Sequence, residues 1–217
     1  MPRKNIKLLN NKPLIHWTID EARKIFSDDL ICVSTDDPEI KDVVENIGLS
    51  VPFLRPADLA VDSAGTYEVL LHAVDWYEKQ GYLPEVVILL QPTSPFRLAR
   101  HIQEACQLFS NQTEMVISVK ETKANPYYIL MEEDEAGYLQ KSKKSDATRR
   151  QDVPNVWELN GAVYIISVDA LKAGPITQFS KVRKYVMDEI SSHDIDTQLD
   201  WIVAEAIAGL NETNSVN

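Results

Sequence analysis

Long hydrophobic runs, paired cysteines and a secretion signal are all missing from this 217-residue sequence. No apolar run reaches the length of a transmembrane helix, about 18 residues, and the start, MPRKNIKLLNNK, lacks the apolar core of a signal peptide. The two cysteines, Cys32 and Cys106, show no CxxC or histidine spacing, which favours buried free thiols over a disulfide or a metal site. We therefore expect a cytoplasmic protein without a membrane partner.

Basic residues are too few for broad binding of nucleic acid. The formal net charge is −11, whereas neutralising a phosphate backbone requires a basic face. The first 17 residues nevertheless hold four basic residues and no acid, and a second basic cluster lies at 141–150. Local positive charge on an acidic protein suits a small anionic substrate. Each cluster alone is also compatible with a solvated basic surface.

Motifs of several enzyme classes are absent as well. The sequence contains no GxSxG motif, no serine, histidine and aspartate in the order of a hydrolase triad, and no full Walker loop. Triad hydrolases and P-loop enzymes therefore have no support, and neither has thiol catalysis.

Helix-like and strand-like segments alternate along the chain. Helices are predicted at 13–26, 38–47, 66–80, 99–109, 168–172 and 197–210, and strands at 30–34, 51–54, 86–90, 115–119, 162–167 and 184–187. The alternation predicts an α/β fold with a mostly parallel, doubly wound sheet in a single domain, residues 1–217. Residues 120–157 lack a helical period, and we interpret them as an inserted arm that would suit a subunit contact.

The predicted strand at 86–90 ends in a polar, proline-rich loop. Five apolar residues predict a central strand covered on both faces, and Gln91-Pro92-Thr93-Ser94-Pro95 follows directly. The prolines prevent further ladder pairing and leave an amide and two hydroxyls at the carboxyl edge of the sheet, where open α/β sheets bind ligands. An ordinary proline-rich turn is the alternative.

The segment His193-Asp194-Ile195-Asp196 is the strongest candidate metal site. Carboxylates at i and i+2 point the same way on an extended segment, so Asp194 and Asp196 can face one cation. Such an oxygen site suits Mg²⁺ or Mn²⁺, which keep several waters and bind substrate phosphates. The alternative is that Asp196 is the N-cap of the helix that begins at Thr197.

Two earlier strand ends also carry polar residues. The segment Ser34-Thr35-Asp36-Asp37 could contact a ribose or a base, although capping of the next helix is the favoured interpretation. Arg55 follows a predicted strand, where it could bind phosphate in a bidentate manner or be an ordinary surface arginine.

Seven segments stand in a recognisable order and cover almost the whole chain: PRKNIKLLNNKPLI (2–15), VSTDDPEI (33–40), VPFLRPADLAVD (51–62), LLQPTSPFR (89–97), RRQDVP (149–154), NGAVYI (160–165) and DEISSHDIDTQLDW (188–201). Each is weak alone, whereas seven in order are specific. Together they resemble the acylneuraminate cytidylyltransferases, which activate sialic acids. The ketodeoxyoctulosonate cytidylyltransferases are more distant relatives.

The resemblance implies a Rossmann-like nucleotide-diphospho-sugar transferase fold and a homodimer with its dimerisation arm at 120–157. It implies Mg²⁺-dependent transfer of CMP from CTP to a nonulosonic acid, N-acylneuraminate first, with release of pyrophosphate. Pseudaminic acid, legionaminic acid and ketodeoxyoctulosonate are alternative acceptors. A non-catalytic module that binds a nucleotide or a sugar is the alternative of a different class.

The resemblance also implies roles for individual residues. Lys4 would bind the triphosphate and Asn5 the cytosine, Arg55 would lie on the nucleotide side, and Gln91 would face the sugar. Later in the chain, Asp194 and Asp196 would hold Mg²⁺. Arg149 or Arg150 would bind the sugar carboxylate. Lys4, Gln91 and Asp194 are the residues expected at the reacting groups, since phosphoryl transfer relies on positioning and charge neutralisation.

The beginning of the sequence departs from the family pattern. Family members carry a buried strand and a loop of the form A-R-x-G-S-K-x-x, and this sequence starts inside that motif, at Met1-Pro2-Arg3. The loop would supply backbone donors to the phosphates. We therefore expect the chain as written to be impaired.

Overall fold

The structure is a computed structural model that describes residues 3–60 and 65–215, with side chains as far as residue 210. Pro2 and residues 61–62 of the segments quoted above lie outside these ranges. The helices are α1 (Leu14–Arg23), α2 (Pro38–Glu45), α3 (Thr66–Lys79), α4 (Ala99–Gln107), α5 (Val168–Ala173) and α6 (Gln198–Ser215). The strands are β1 (Leu8–Leu9), β2 (Lys12–Pro13), β3 (Val86–Leu89), β4 (Met115–Glu121), β5 (Met131–Glu133), β6 (Leu139–Lys141), β7 (Trp157–Ser167) and β8 (Val182–Val186).

The main sheet has the strand order β3-β7-β4-β8. Strands β3, β4 and β8 run in one direction, and β7 runs against both of its neighbours, β3 and β4. The chain passes from β4 to β7 through the 120–157 region, which contains no helix that could carry a parallel crossover. The expected α/β architecture is therefore present with a mixed sheet.

Helices cover both faces of this sheet. On one face, α3 and α5 pack through the buried side chains of Leu70, Val74 and Leu171. On the other face, α4 packs through Ile102 and Ala105. Each helix is amphipathic, so burying its apolar side against the strands removes that surface from water.

The predicted strands at 30–34 and 51–54 do not join a sheet. Asp28–Leu30 form a 3-10 turn, and the two segments meet only in a parallel bridge between Thr35 and Leu54. Strand β3, predicted as a central strand, is an edge strand with Val86 36% exposed. Both differences have one physical reason, since a segment becomes a central strand only when strands pair with both of its edges. Within residues 3–60 and 65–215, no further strand pairs with 31–34 or with the outer edge of β3.

The C-terminal helix α6 builds a separate apolar cluster beside the ends of the main strands. Trp201 packs there with Leu9, Leu14, Phe96 and Ile195, all of them buried. This cluster anchors the segment that precedes α6. None of the helices in the described part of the chain has the length and apolar character needed to cross a membrane.

Candidate active site

Strand β7 contains a bulge that interrupts its pairing with β4. Ile117 of β4 pairs with Tyr164, but Val119, only two residues on, pairs with Leu159. Four residues of β7, 160–163, therefore lie opposite Ser118 alone. The φ angle of +70° at Gly161 falls in the left-handed region that glycine tolerates. Bulges of this kind bend a strand and redirect its side chains.

The buried amide of Asn160 fastens this bulge to the loop before α6. Its Oδ1 accepts hydrogen bonds from Ser118 Oγ at 2.6 Å and from the Ala162 amide at 3.2 Å. Its Nδ2 donates to Ser192 Oγ at 2.9 Å and lies 3.5 Å from Met187 Sδ. With only 4% of Asn160 exposed, these bonds satisfy a polar group that would otherwise be costly to bury.

The loop after β3 places Gln91 against the bulge. A Cβ atom added at Gly161 would lie 2.8 Å from Gln91 Oε1, so the glycine permits this close approach. Ser94, which is fully buried, donates from Oγ to the Asn160 carbonyl at 3.4 Å. The polar loop predicted at the strand end is therefore packed on Asn160 and Gly161.

Asp194 belongs to the loop before α6, which its neighbour Ile195 holds in place. The Ile195 side chain is fully buried in the α6 cluster, and its amide donates to the Thr93 carbonyl at 2.9 Å. Burial raises the pKa of Asp194; a hydrogen bond with the Thr93 side chain opposes that rise, and the charge of Asp196 adds to it. Asp194 Oδ1 is buried and has no hydrogen-bond partner among the described residues.

Lys4 brings positive charge to this segment. Its Nζ donates to the Ile195 carbonyl and lies 3.2 Å from Asp196 Oδ1. Lys4 is largely covered, with 18% of its side chain exposed, whereas Asp196 is 74% exposed. Asn5 follows Lys4 in the same 3-10 turn, Lys4–Ile6. Residues from the two ends of the chain thus meet at one site.

The alternative role of Asp196 as a helix cap does not match the structure. Asp200 accepts hydrogen bonds from the amides of Asp196 and Thr197, and Thr197 Oγ1 accepts from the Asp200 amide. Thr197 and Asp200 therefore form the reciprocal cap of α6. The Asp196 carboxylate contacts Lys4 instead.

Arg55 lies in a different part of the chain from the candidate metal ligands. Its guanidinium pairs with Asp36, and its Nε is buried without a hydrogen-bond partner in the described region. The next residue, Asp37, caps α2 by accepting from the Glu39 amide at 2.8 Å. The favoured capping interpretation of 34–37 is confirmed.

The two candidate arginines of the arm have different surroundings. Arg149 is 66% exposed and makes a bidentate pair with Asp152, at 2.8 and 2.9 Å. Arg150 donates to the Lys123 carbonyl at 2.8 Å and lines a cavity of about 300 Å³ with Asn125. Of the two, Arg150 is the one with access to a cavity.

A larger cavity, about 430 Å³, lies at the bulge. Its described lining includes Asn160, Ser192, His193 and five acidic side chains, Glu158, Glu189, Asp194, Asp196 and Asp200, and Lys120 is the one lysine or arginine there. Such an acidic wall repels anions unless cations neutralise it. Lys123 of the arm pairs with Glu189 at 3.4 Å, which links the Arg150 region to this cavity.

A family model described as cytidylyltransferase matches residues 1–207. The chain belongs to the cytidylyltransferase family. A CMP-N,N'-diacetyllegionaminic acid synthase from Legionella pneumophila is 30% identical over 98% of this chain and 92% of its own length. An N-acylneuraminate cytidylyltransferase from Streptococcus agalactiae is 31% identical over 93% of this chain and 48% of its own length.

A solved structure of CMP:2-keto-3-deoxy-manno-octonic acid synthetase complexed with CTP resembles this cytidylyltransferase in fold. The TM-score is 0.68 at 15% identity, over 97% of this chain and 93% of the other. The Rossmann-like nucleotidyltransferase fold expected from the sequence is confirmed.

The residues of this cytidylyltransferase fit a hard cation. Asp194 would supply a buried carboxylate oxygen that has no hydrogen-bond partner among the described residues, and Asp196 would supply an exposed carboxylate. Within the described ranges, no cluster of three or more histidine, cysteine, aspartate or glutamate side chains could hold a metal. Two carboxylates suit Mg²⁺, which takes its other ligands from water and substrate phosphates.

The sequence assigns no role to Thr93 or Arg97. It predicts Asn160-Gly161 as a tight turn with a structural amide; the structure places the pair in a bulge of β7, where the Asn160 amide is buried and hydrogen-bonded. The useful signal was the Asn160-Gly161 pair inside a strand, since a glycine within a strand marks a bulge or a close approach.

Proposed function

We propose that this cytidylyltransferase transfers CMP from CTP to a nonulosonic acid, with Mg²⁺, and releases pyrophosphate. The observation that carries the proposal is the buried Oδ1 of Asp194, which has no hydrogen-bond partner among the described residues and lies in a segment that Lys4 contacts at Ile195 and Asp196. Membership of the family and relatives named for nonulosonic acids support it. N-acylneuraminate is the first acceptor to test.

Charge neutralisation explains how such a site would work. Bound Mg²⁺, held by Asp194 and Asp196, would neutralise the triphosphate in an otherwise acidic cavity. Lys4 lies beside both carboxylates and would move onto the phosphates, while Asn5 and Arg55 would serve the nucleotide. Gln91 would orient the sugar.

Arg150 is the better candidate for the sugar carboxylate. Its guanidinium reaches a cavity, whereas the guanidinium of Arg149 is already paired with Asp152. A planar guanidinium binds a carboxylate in a bidentate manner, which gives both energy and orientation.

N,N'-diacetyllegionaminate is the second candidate acceptor. The relative named for that sugar matches this chain over 92% of its own length, whereas the relative named for N-acylneuraminate is matched over 48%. The proposal also includes a cytoplasmic homodimer. Exposed apolar side chains on the β5–β6 hairpin, among them Met131, Tyr138 and Leu139, support a contact there.

Pyrophosphate release from CTP and Mg²⁺ tests the reaction, with N-acetylneuraminate and diacetyllegionaminate as acceptors. It is measured on this chain. We expect turnover of one sugar acid. A folded protein that releases no pyrophosphate with either acceptor would contradict the proposal.

Replacing Gly161 by alanine should impair use of the sugar acid more than it impairs folding. The left-handed φ costs an alanine about 1–2 kcal/mol. The new methyl group would also displace the Gln91 amide, which ends 2.8 Å from its position. We expect the KM for the sugar acid to rise by about tenfold or more, the loss of one good hydrogen bond to substrate.

Gly81→Ala is the matched control for this variant. Gly81 has a φ of +85°, and among the described residues, its chain neighbours aside, no atom lies within 4 Å of an added Cβ. It should lose similar stability and keep the KM for the sugar acid. Equal kinetics for the two variants would show that Gln91 does not contact the sugar.

A further inference from the structure

Arg97 is a charged side chain in the interior of the protein. Only 1% of the residue is exposed. Its Nη1 donates to the carbonyls of Gln91 at 3.2 Å and Ala162 at 2.8 Å, and its Nη2 donates to Thr18 Oγ1 at 2.7 Å. Nε is buried without a partner, and no carboxylate among the described residues forms an ion pair with the guanidinium.

A buried cation without an ion pair contributes little to the stability of the fold. Burial lowers the pKa of Arg97 to about 10, with the charge of Glu21 opposing it. Burying a charge without an ion pair has a desolvation cost, which hydrogen bonds to neutral oxygens only partly offset. Apolar side chains of similar volume often replace such charges without loss of stability. The position of its hydrogen bonds suggests another role.

The guanidinium joins the two chain segments that enclose the Gln91 side chain. The Gln91 carbonyl accepts from Arg97 and from the Ser94 amide, at 3.3 Å, which closes the loop. Ala162 directly follows Gly161, the residue against which the Gln91 amide lies. One nitrogen of Arg97 therefore bonds to both the loop and the bulge and sets the distance between them.

The same loop also holds the candidate metal ligand. Thr93 lies two residues after Gln91. Its carbonyl accepts a hydrogen bond from the Ile195 amide, and its side chain forms a hydrogen bond with Asp194. A shift of the loop away from β7 would move Gln91 and loosen Asp194 together.

We propose that Arg97 is a positioning residue, which locks the Gln91–Pro95 loop onto the β7 bulge and so holds Gln91 and Asp194 in place beside that bulge. The inference rests on the proposed function, because Gln91 and Asp194 matter there as contacts to the sugar and Mg²⁺. It adds a residue that acts through both without touching a substrate. A planar guanidinium suits the task, since it can donate to two carbonyls in fixed directions.

The test compares Arg97→Ala with Thr18→Val. Thr18→Val removes only the contact to α1 and keeps both carbonyl contacts. For Arg97→Ala we expect amide hydrogen exchange of Ser94 and Ile195 to accelerate by about tenfold or more relative to Val116 in the sheet, as in local opening. Turnover with the sugar acid should fall by about tenfold or more, and ethylguanidinium should restore both. Thr18→Val should leave both nearly unchanged, because the hydrogen bonds from Arg97 to the two carbonyls remain.

Each result decides between positioning and packing. Uniformly faster exchange across the sheet, or no rescue by ethylguanidinium, would overturn the inference, because a purely structural residue destabilises the whole sheet. If Arg97→Ala does not fold, Arg97→Met replaces it and should show the same local exchange, since a thioether cannot donate a hydrogen bond to either carbonyl. The unchanged protein could lack turnover while Arg97→Ala still shows local exchange that ethylguanidinium reverses. That pair of results would refute the proposed function and support the positioning role of Arg97.

Discussion

Asp194→Asn should lower Mg²⁺-dependent turnover on the order of 10²–10³-fold, the usual cost of losing one electrostatic stabiliser of a reacting group. The fold should stay as stable as that of the unchanged protein. Burial disfavours the ionised form of Asp194 and raises its pKa, so an uncharged amide of the same shape removes a cost of folding. The Thr93 hydroxyl can still donate to the amide oxygen.

Two measurements separate metal binding from folding in this variant. A ligand that binds the folded state raises the melting temperature by mass action, so MgCl₂ with CTP should stabilise the unchanged protein and have little effect on Asp194→Asn. Asp200→Asn is the control, because Asp200 lines the same cavity but its carboxylate caps α6. It should lose stability and keep its response to Mg²⁺. A full Mg²⁺ response in Asp194→Asn would show that Asp194 is not a ligand.

Local signals explain the parts of the fold that sequence reasoning predicted well. Helix α2 begins at Pro38 after the capping residue Asp37 and is followed by Gly48 at a φ of +80°, which matches the start and stop signals of its sequence. Asp194 and Asp196 line one cavity, as their i, i+2 spacing on an extended segment suggests without tertiary information, and their role as metal ligands stays a prediction. Both kinds of signal span only a few residues.

The parts that were missed depend on contacts between distant residues. The segment 31–34 is apolar and suits a strand, but a strand needs a partner, and the sequence of one segment does not say whether it pairs. The bulge at 160–163 depends on its register with Ser118, which lies more than forty residues earlier. Arg97 follows a polar loop, where an arginine is ordinarily exposed, and only its carbonyl partners explain its burial.

Asn160→Asp should destabilise the protein by about 3 kcal/mol or more at pH 7, because it leaves an uncompensated charge in the interior. The change keeps the shape of the side chain and removes its two donor hydrogens. The new carboxylate would face Ser192 Oγ and Met187 Sδ in a position where 4% of the residue is exposed. The bulge and the loop that carries Asp194 would lose their main link.

The pH dependence identifies the cause of that loss. Burial would raise the pKa of the introduced carboxyl in the folded state above its unfolded value, about 3.9. The folded state then binds the proton more tightly, so the deficit is complete above the folded pKa and shrinks as pH falls through it. Urea unfolding at pH 7 and pH 5 should therefore show a smaller deficit at pH 5. Ser192→Ala, which removes only one partner, should cost about 1 kcal/mol at both pH values. An equal deficit for Asn160→Asp at the two pH values would place the carboxyl in contact with water, and the Asn160 network would not be the link between bulge and loop.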